Sequence, residues 1–318
     1  MGPGQRLRGT ATLLAAVAVF LPPLLWVAAV AEAGWSGPDG RPLPFESPDE
    51  IREFLHTAEI VSTQKISEGI NQPLKVRLEK DGVVAHAVFR TVDESRQRIR
   101  LSGKTIRNFR DSYVFECAAY ELSLMLGIDN VPPCVLRRIG ASHGSLQLWI
   151  EDAMTEKKRR ALGQDPPGSV LWPRRQQTMR LFDALIFNFD RNQGNILIDR
   201  QWNQWLIDHT RSFLLSTEID RIERIVWCER GIWDRLRALD AKSSKLHLGP
   251  YLDAMRIRAM LERRDKLVAH LQQRIDKIGE GAVIYDAAVS SALPDLGVAL
   301  DSDDLPERST PLDELDPP

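Results

Sequence analysis

The segment Phe187-Asn188-Phe189-Asp190-Arg191-Asn192-Gln193-Gly194-Asn195-Ile196-Leu197-Ile198-Asp199, followed closely by Trp205-Leu206-Ile207-Asp208-His209-Thr210, decides how the chain of 318 residues is read. It sets an Asp, an Asn five residues on and a second Asp thirteen beyond that, each beside an apolar run. Ile196-Leu197-Ile198 and Trp205-Leu206-Ile207 read as two short strands joined by a polar turn. Such a hairpin brings Asn195 and Asp208 to the same end. One carboxylate to orient a hydroxyl, and an amide with a second carboxylate to hold Mg²⁺, is the set that phosphoryl transfer requires. Mg²⁺ takes few protein oxygens when substrate phosphates supply the rest.

In type, order and spacing these residues resemble the catalytic and metal-binding loops of the protein-kinase-like superfamily. The resemblance is to its atypical branch: HipA-like kinases, type II phosphoinositide 4-kinases, actin-fragmin kinase and secretory-pathway kinases. It covers about residues 50–285 and is specific only at 188–210. It implies an α+β, two-lobed protein-kinase-like fold, with a small antiparallel sheet lobe carrying one helix and a larger, mainly helical lobe. It also implies ATP and Mg²⁺ (or Mn²⁺) as cofactors, and transfer of the γ-phosphoryl group to a hydroxyl of a protein, phosphoinositide or sugar. Asp190 is then the catalytic Asp, and Asn195 and Asp208 are the metal ligands. His209-Thr210 stands where ordinary kinases continue Asp-Phe-Gly, so that triplet is absent.

Upstream, residues 51–55 read as a short helix, and 58–66, 74–78 and 83–89 as strands, with Asp81-Gly82 as a hairpin turn. Residues 67–72, between the first two strands, occupy the place of a phosphate-covering loop, with Gly69 its one glycine. Residues 111–126 read as a helix capped by Asp111 and ended by Gly127. The resemblance makes Glu116 on that helix the partner of a strand cation. The strand ends in Arg90, not Lys; Arg keeps bidentate phosphate geometry. Lys75 and Lys104 are the alternatives. Residues 131–136 and 145–150 read as further strands, and Leu148, Trp149 and Ile150 fall where a hinge would meet adenine.

Residues 155–175 read as a polar loop between lobes. Residues 174–188 read as an amphipathic helix delivering Asp190, and 216–239 and 250–278 as helices. Arg256, Arg258, Arg263, Arg264 and Lys266 read as solvated. His209 is either a hydrogen-bond donor behind the metal site or a local contact.

The formal net charge of −2 creates no global field for nucleic acid, and none is expected as a partner. The three cysteines, Cys117, Cys134 and Cys228, form neither a zinc pattern nor a disulfide framework, and Cys117 reads as a buried hydrophobe. Arg6 and Arg8 before an uncharged run over 11–31, then Ala31-Glu32-Ala33, read as a cleaved signal peptide or a membrane anchor. Either places the bulk of the chain outside the cytoplasm. The expected organisation is a targeting segment over 1–33, a Pro/Gly-rich linker over 34–48, lobes over 49–152 and 153–285, and a disordered acidic tail over 286–318. A rival from another class is a pseudokinase that binds nucleotide or protein without catalysis; it is favoured by Arg90 and the glycine-poor loop. A chance motif in a structural protein is the third reading.

Overall fold

The computed structural model describes residues 1–2, 35–66, 73–101, 104–166, 168, 171–287 and 305. The targeting segment, the turn carrying Gly69 and nearly all of the acidic tail lie outside them. Among the described residues no helix is long and apolar enough to cross a membrane.

Helix α1 (Pro48–Thr57) starts where Ser47 accepts a hydrogen bond from the Glu50 N–H and Pro48 needs no donor. Strands β1 (Glu59–Lys65), β2 (Leu74–Lys80) and β3 (Val83–Arg90) follow as a meander. Asp81 (φ 51°) and Gly82 (φ 77°) take the two left-handed positions that a two-residue hairpin turn needs. A separate hairpin, β4 (Asp93–Leu101) and β5 (Lys104–Ser112), leads into α2 (Val114–Leu126). Strands β6 (Cys134–Ile139) and β7 (Ser142–Leu148) complete a five-stranded antiparallel sheet in the order β1-β2-β3-β7-β6.

Alternation along these strands gives the sheet two different faces. Val76, Leu78, Ala85, Ala87, Phe89, Leu146 and Leu148 form an outer core with Ile51, Phe54 and Leu55 of α1. Residues 35–47, read as a linker, contribute Trp35, Leu43 and Phe45 to its rim. Residues of the opposite parity, Arg90 on β3 and Gln147 on β7, reach Glu116 of α2.

The second lobe comprises β8 (Met154–Thr155), α3 (Glu156–Ala161), α4 (Leu171–Ile186), β9 (Ile196–Ile198), β10 (Gln204–Leu206), β11 (Cys228–Glu229), α5 (Arg230–Ala238), α6 (Ala241–Leu248), α7 (Ala254–Ile278) and β12 (Ile284–Tyr285). Strands β10-β9-β8 form a small sheet, and β11 pairs in parallel with β12. The main core joins Phe182 and Leu185 of α4, Trp233 and Leu236 of α5, and Met260 and Leu267 of α7 to Phe115 and Leu122 of α2. Helix α2 therefore packs with the helical lobe as well as with the sheet.

Several local expectations are corrected. Asp111 does not cap α2; it is a buried residue of β5, in a hairpin whose basic composition hides its period. Residues 155–175 hold α3 and the start of α4, because Thr155 caps α3 and Glu156 pairs with Arg159 at 2.6 Å. Of residues 216–239 only the last third is α-helix, and Asp240 caps an additional helix, α6. Arg256 and Arg263 are not solvated. Arg263 is wholly buried and donates to the carbonyls of Leu185 and Leu214 at 2.8 and 3.0 Å, and Arg256 donates to that of Phe213 at 2.7 Å. Cys117 is not a lone thiol. It is disulfide-bonded to Cys134 with Cα atoms 5.0 Å apart, linking α2 to β6. A separation of 17 residues encodes no such pairing until the helix is laid on the sheet.

Closing a loop of that length contributes about 3 kcal/mol in the chain-entropy account. Cys117→Ser should therefore lower the melting temperature under non-reducing conditions, and excess dithiothreitol should bring the wild type down to the level of the variant. Thermal denaturation followed by circular dichroism reads both.

Candidate functional site

The β9–β10 hairpin forms where the sequence placed it, in antiparallel register Ile196↔Leu206. Its turn is locked by Asp199, whose carboxylate accepts the N–H groups of Gln201 and Asn203 at 2.9 Å each and the Trp205 indole N–H at 2.8 Å. Ile207 N–H then donates to the Asn195 carbonyl at 3.2 Å, so Asn195 and Asp208 emerge at one end.

Helix α4 ends at Phe187 (φ 52°), and the loop that follows is held by its own polar residues. The side-chain amides of Asn192 and Asn195 both donate to the Asp190 carbonyl, at 2.9 and 3.1 Å. With its nitrogen so used, Asn195 keeps its amide oxygen as the group that can meet a metal. Arg191 brackets the loop. It forms two hydrogen bonds to Asp183 at 2.9 Å each and donates to the carbonyls of Asn195 and Ile207 at 2.6 and 2.8 Å. One guanidinium thus fixes the backbone at both candidate metal ligands.

Asp190 is nearly buried and lies 3.3 Å from Arg211, which also binds Asp111 at 2.8 Å. Burial works against the charge on Arg211, but Asp190 and Asp111 outweigh it and hold its pKa above the ordinary guanidinium value. Asp208 adopts a left-handed backbone (φ 59°), as Phe213 does nearby (φ 55°). Strained residues of this kind persist where surrounding structure over-determines them, and they cluster at sites of function.

Glu116 is fully buried on α2. Its carboxylate meets Arg90 at 3.6 Å, accepts the His209 N–H at 3.0 Å and faces His209 Nδ1 at 3.3 Å. His209 Nε2 sits 3.0 Å from Arg191 Nη2, a donor, so the ring proton belongs on Nδ1, toward Glu116. Burial raises the Glu116 pKa, but Arg90 and the His209 hydrogen bonds outweigh it and hold it below the usual carboxylate range. Asp208 goes the other way. Burial pushes it up, Arg90 at 4.0 Å opposes this, and the nearby Glu116 and Asp111 carboxylates add to the rise. A carboxylate raised by burial and like charges gains from a bound cation.

The structure thus joins Arg90, Glu116 and Asp208 in one set of contacts, and Asp190 and Asn195 in the neighbouring loop. Arg90 Nη1 is buried with no hydrogen-bond partner, an unsatisfied donor in a position to meet an anionic oxygen. Lys75 is engaged elsewhere, 3.9 Å from Glu151 and 4.3 Å above the Trp149 ring, and Lys104 lies at the far end of the β4–β5 hairpin. The hinge residues divide. The Leu148 side chain belongs to the outer core, away from Glu116; Trp149 carries Lys75; and Ile150 is half-buried beside it. Gly69 falls outside the described residues. Sequence reasoning missed Asp111, Asp183 and Gln147. Gln147 Nε2 lies 3.4 Å from Glu116, and nothing in a strand pattern marks it.

The donor set of an amide oxygen and a carboxylate suits a hard divalent cation. Among the described residues no three His, Cys, Asp or Glu side chains form a metal-ligand group. Such an ion would take its remaining ligands from phosphate oxygens.

No protein-family model matches the chain, and no curated protein matches it in sequence. Solved structures do match. Hydra Fam20 with sugar aligns with TM-score 0.57 at 15% identity, over 77% of this chain and 95% of that one. The Golgi casein kinase aligns with TM-score 0.55 at 15% identity over 74% and 77%, and its form with Mn/ADP bound with TM-score 0.52 at 14% identity over 74% and 78%. The chain has the two-lobed fold of the atypical protein-kinase-like proteins.

Because Glu116 has a depressed pKa, its contribution to stability is fully present above about pH 4.3, the unfolded carboxyl value. It is lost as the pH falls through the lower folded value. The stability gap between wild type and Glu116→Gln should be constant from pH 7 to about 5 and shrink below about 4. Denaturant melts at a series of pH values measure it.

Proposed function

We propose that this chain is a metal-dependent phosphotransferase that moves the γ-phosphoryl group of ATP to a hydroxyl of a protein, lipid or sugar. The observation that carries the reading is that the β9–β10 hairpin sets Asn195 and Asp208 at one end, next to the Asp190 loop and the Arg90–Glu116 pair, in a kinase-like fold. Asn195 and Asp208 would hold a nucleotide-bound Mg²⁺ or Mn²⁺, which would supply positive charge to offset that developing on the phosphoryl group; the neighbour bound to Mn/ADP supports this choice.

In this reading Asn195 and Asp208 hold the cation, and Arg90 places its unpaired Nη1 on phosphate. Glu116 orients Arg90, and His209 fixes Glu116. Asp190 orients the acceptor hydroxyl and takes its proton, while Arg211 positions the Asp190 carboxylate. Residues 49–152 form the nucleotide-covering lobe and 153–285 the acceptor-side lobe. The Cys117–Cys134 disulfide, the basic and apolar start of the chain and the likeness to a Golgi kinase support a site of action outside the cytoplasm. The pseudokinase reading is favoured by one specific feature: the carboxylate of Asp190 is already engaged by Arg211.

Two substitutions separate these readings. Mg-ATP at about 100 times its Kd should stabilise the wild type by about 2.7 kcal/mol. Asp208→Asn should abolish most of that stabilisation. Asp190→Asn should keep it while phosphoryl transfer falls by about 10²- to 10⁴-fold. Thermal shift and radiolabelled ATP turnover read the two effects. Stabilisation without turnover on any acceptor class selects the nucleotide-binding pseudokinase, and no stabilisation in a folded protein rejects every nucleotide-binding reading, leaving only a protein-binding one.

A further inference from the structure

Apart from Asp111 at its base, the β4–β5 hairpin takes no part in the site chemistry derived above, yet it is fastened to that site. Its inner face packs Ile99 and Phe109 into a small core with Leu214, Phe187 and Phe189. Phe109 and Phe189 stack edge to face at 6.0 Å, and Phe189 directly precedes Asp190. At the base of the hairpin the Ser112 N–H donates to the Thr210 carbonyl at 2.9 Å, two residues beyond Asp208.

The outer face has a different character. Between residues 95 and 110 the chain has six basic residues and no acidic one, although the whole chain carries a net −2. Arg98 and Arg100 flank Ile99 on β4, so they share the face opposite it, and Arg107 lies directly across from Arg98. Arg98, Arg100 and Arg107 are exposed and make no ion pair with the described residues, whereas Arg110 is neutralised by Asp93 at 2.9 Å. Like charges placed opposite one another weaken a hairpin, and a two-stranded ribbon has little stability to spare. The arrangement opposes folding on its own and becomes favourable when an anionic partner is bound.

We infer that the outer face of this hairpin is a docking surface for an acidic, extended polypeptide segment of the acceptor. The inference rests on the phosphotransferase reading only for the word acceptor; the binding surface stands without it. Two features favour polypeptide. Among the described residues the ribbon pairs with no further strand, which leaves edges on which an extended chain can add backbone hydrogen bonds. Arginines at every second residue also match the side-chain repeat of an extended chain. The large apolar residues of the hairpin, Ile99 and Phe109, point inward, which leaves no wedge for a membrane.

The test uses the full chain and a fluorescein-labelled peptide of alternating Glu and Ser, with fluorescence anisotropy at about 50 mM salt. The wild type should bind this peptide and not a Lys-Ser peptide of equal length. The triple variant Arg98→Ser, Arg100→Ser, Arg107→Ser should bind at least tenfold more weakly while its thermal shift with Mg-ATP is unchanged. Equal peptide affinity in the wild type and the triple variant overturns the inference. So does tighter binding to heparin, or to vesicles containing phosphatidylserine, than to the peptide. Loss of the Mg-ATP shift in the wild type would instead sink the phosphotransferase reading and leave the peptide result to be judged alone.

Discussion

A carboxylate with no exposure to water is the constraint around which this protein is arranged. Glu116 is removed from solvent on every side, and a buried charge is costly unless it is paired and hydrogen-bonded. Its partners come from both lobes: Arg90 from β3, and the N–H and ring of His209 from the segment after β10. Satisfying this one group therefore fixes α2 against the sheet and fixes Asp208 against α2. Placing His209 here has its own logic. A phenyl ring at this position would fill space, whereas an imidazole both fills it, against Phe182 at 6.0 Å, and relays hydrogen bonding to Arg191.

Arginine carries much of the remaining order. Arg191 and Arg263 use their guanidinium forks less as charges than as sets of donors aimed at backbone carbonyls. Irregular segments such as 187–195 and 207–217 offer carbonyls without helical or sheet partners, and buried carbonyls need donors. Five donors in a rigid plane meet that need at several points at once. This explains how a site made largely of loops is held without regular secondary structure.

What the sequence revealed follows from how local each signal is. The Asp81-Gly82 hairpin, Gly127 at the end of α2 and the β9–β10 hairpin are short-range patterns, and they were legible, though β10 begins one residue earlier than the pattern placed it. So was the spacing of Asp190, Asn195 and Asp208, because a short hairpin separates the last two. Asp111 misled because an Asp ahead of an apolar helix resembles a cap, and its true partner, Arg211, lies 100 residues away. Arg263 misled because the pattern of α7 shows which residues are charged but not that loop carbonyls lie above one of them. The disulfide was hidden for the same reason: it depends on where α2 rests.

The short parallel pairing of β11 with β12 has a consequence for biogenesis. Cys228 and Glu229 are matched with Ile284 and Tyr285, more than fifty residues later along the chain. In between run α5, α6 and α7, whose apolar faces are shared with α2. The helical lobe therefore cannot close until the chain has emerged to about residue 285, whether from a ribosome or a translocation channel. Until then α2 has its sheet contacts but lacks half of its packing, and apolar surface left open during synthesis invites association with other chains. The last turn of α7 and β12 thus close apolar surface that all the earlier helices leave open.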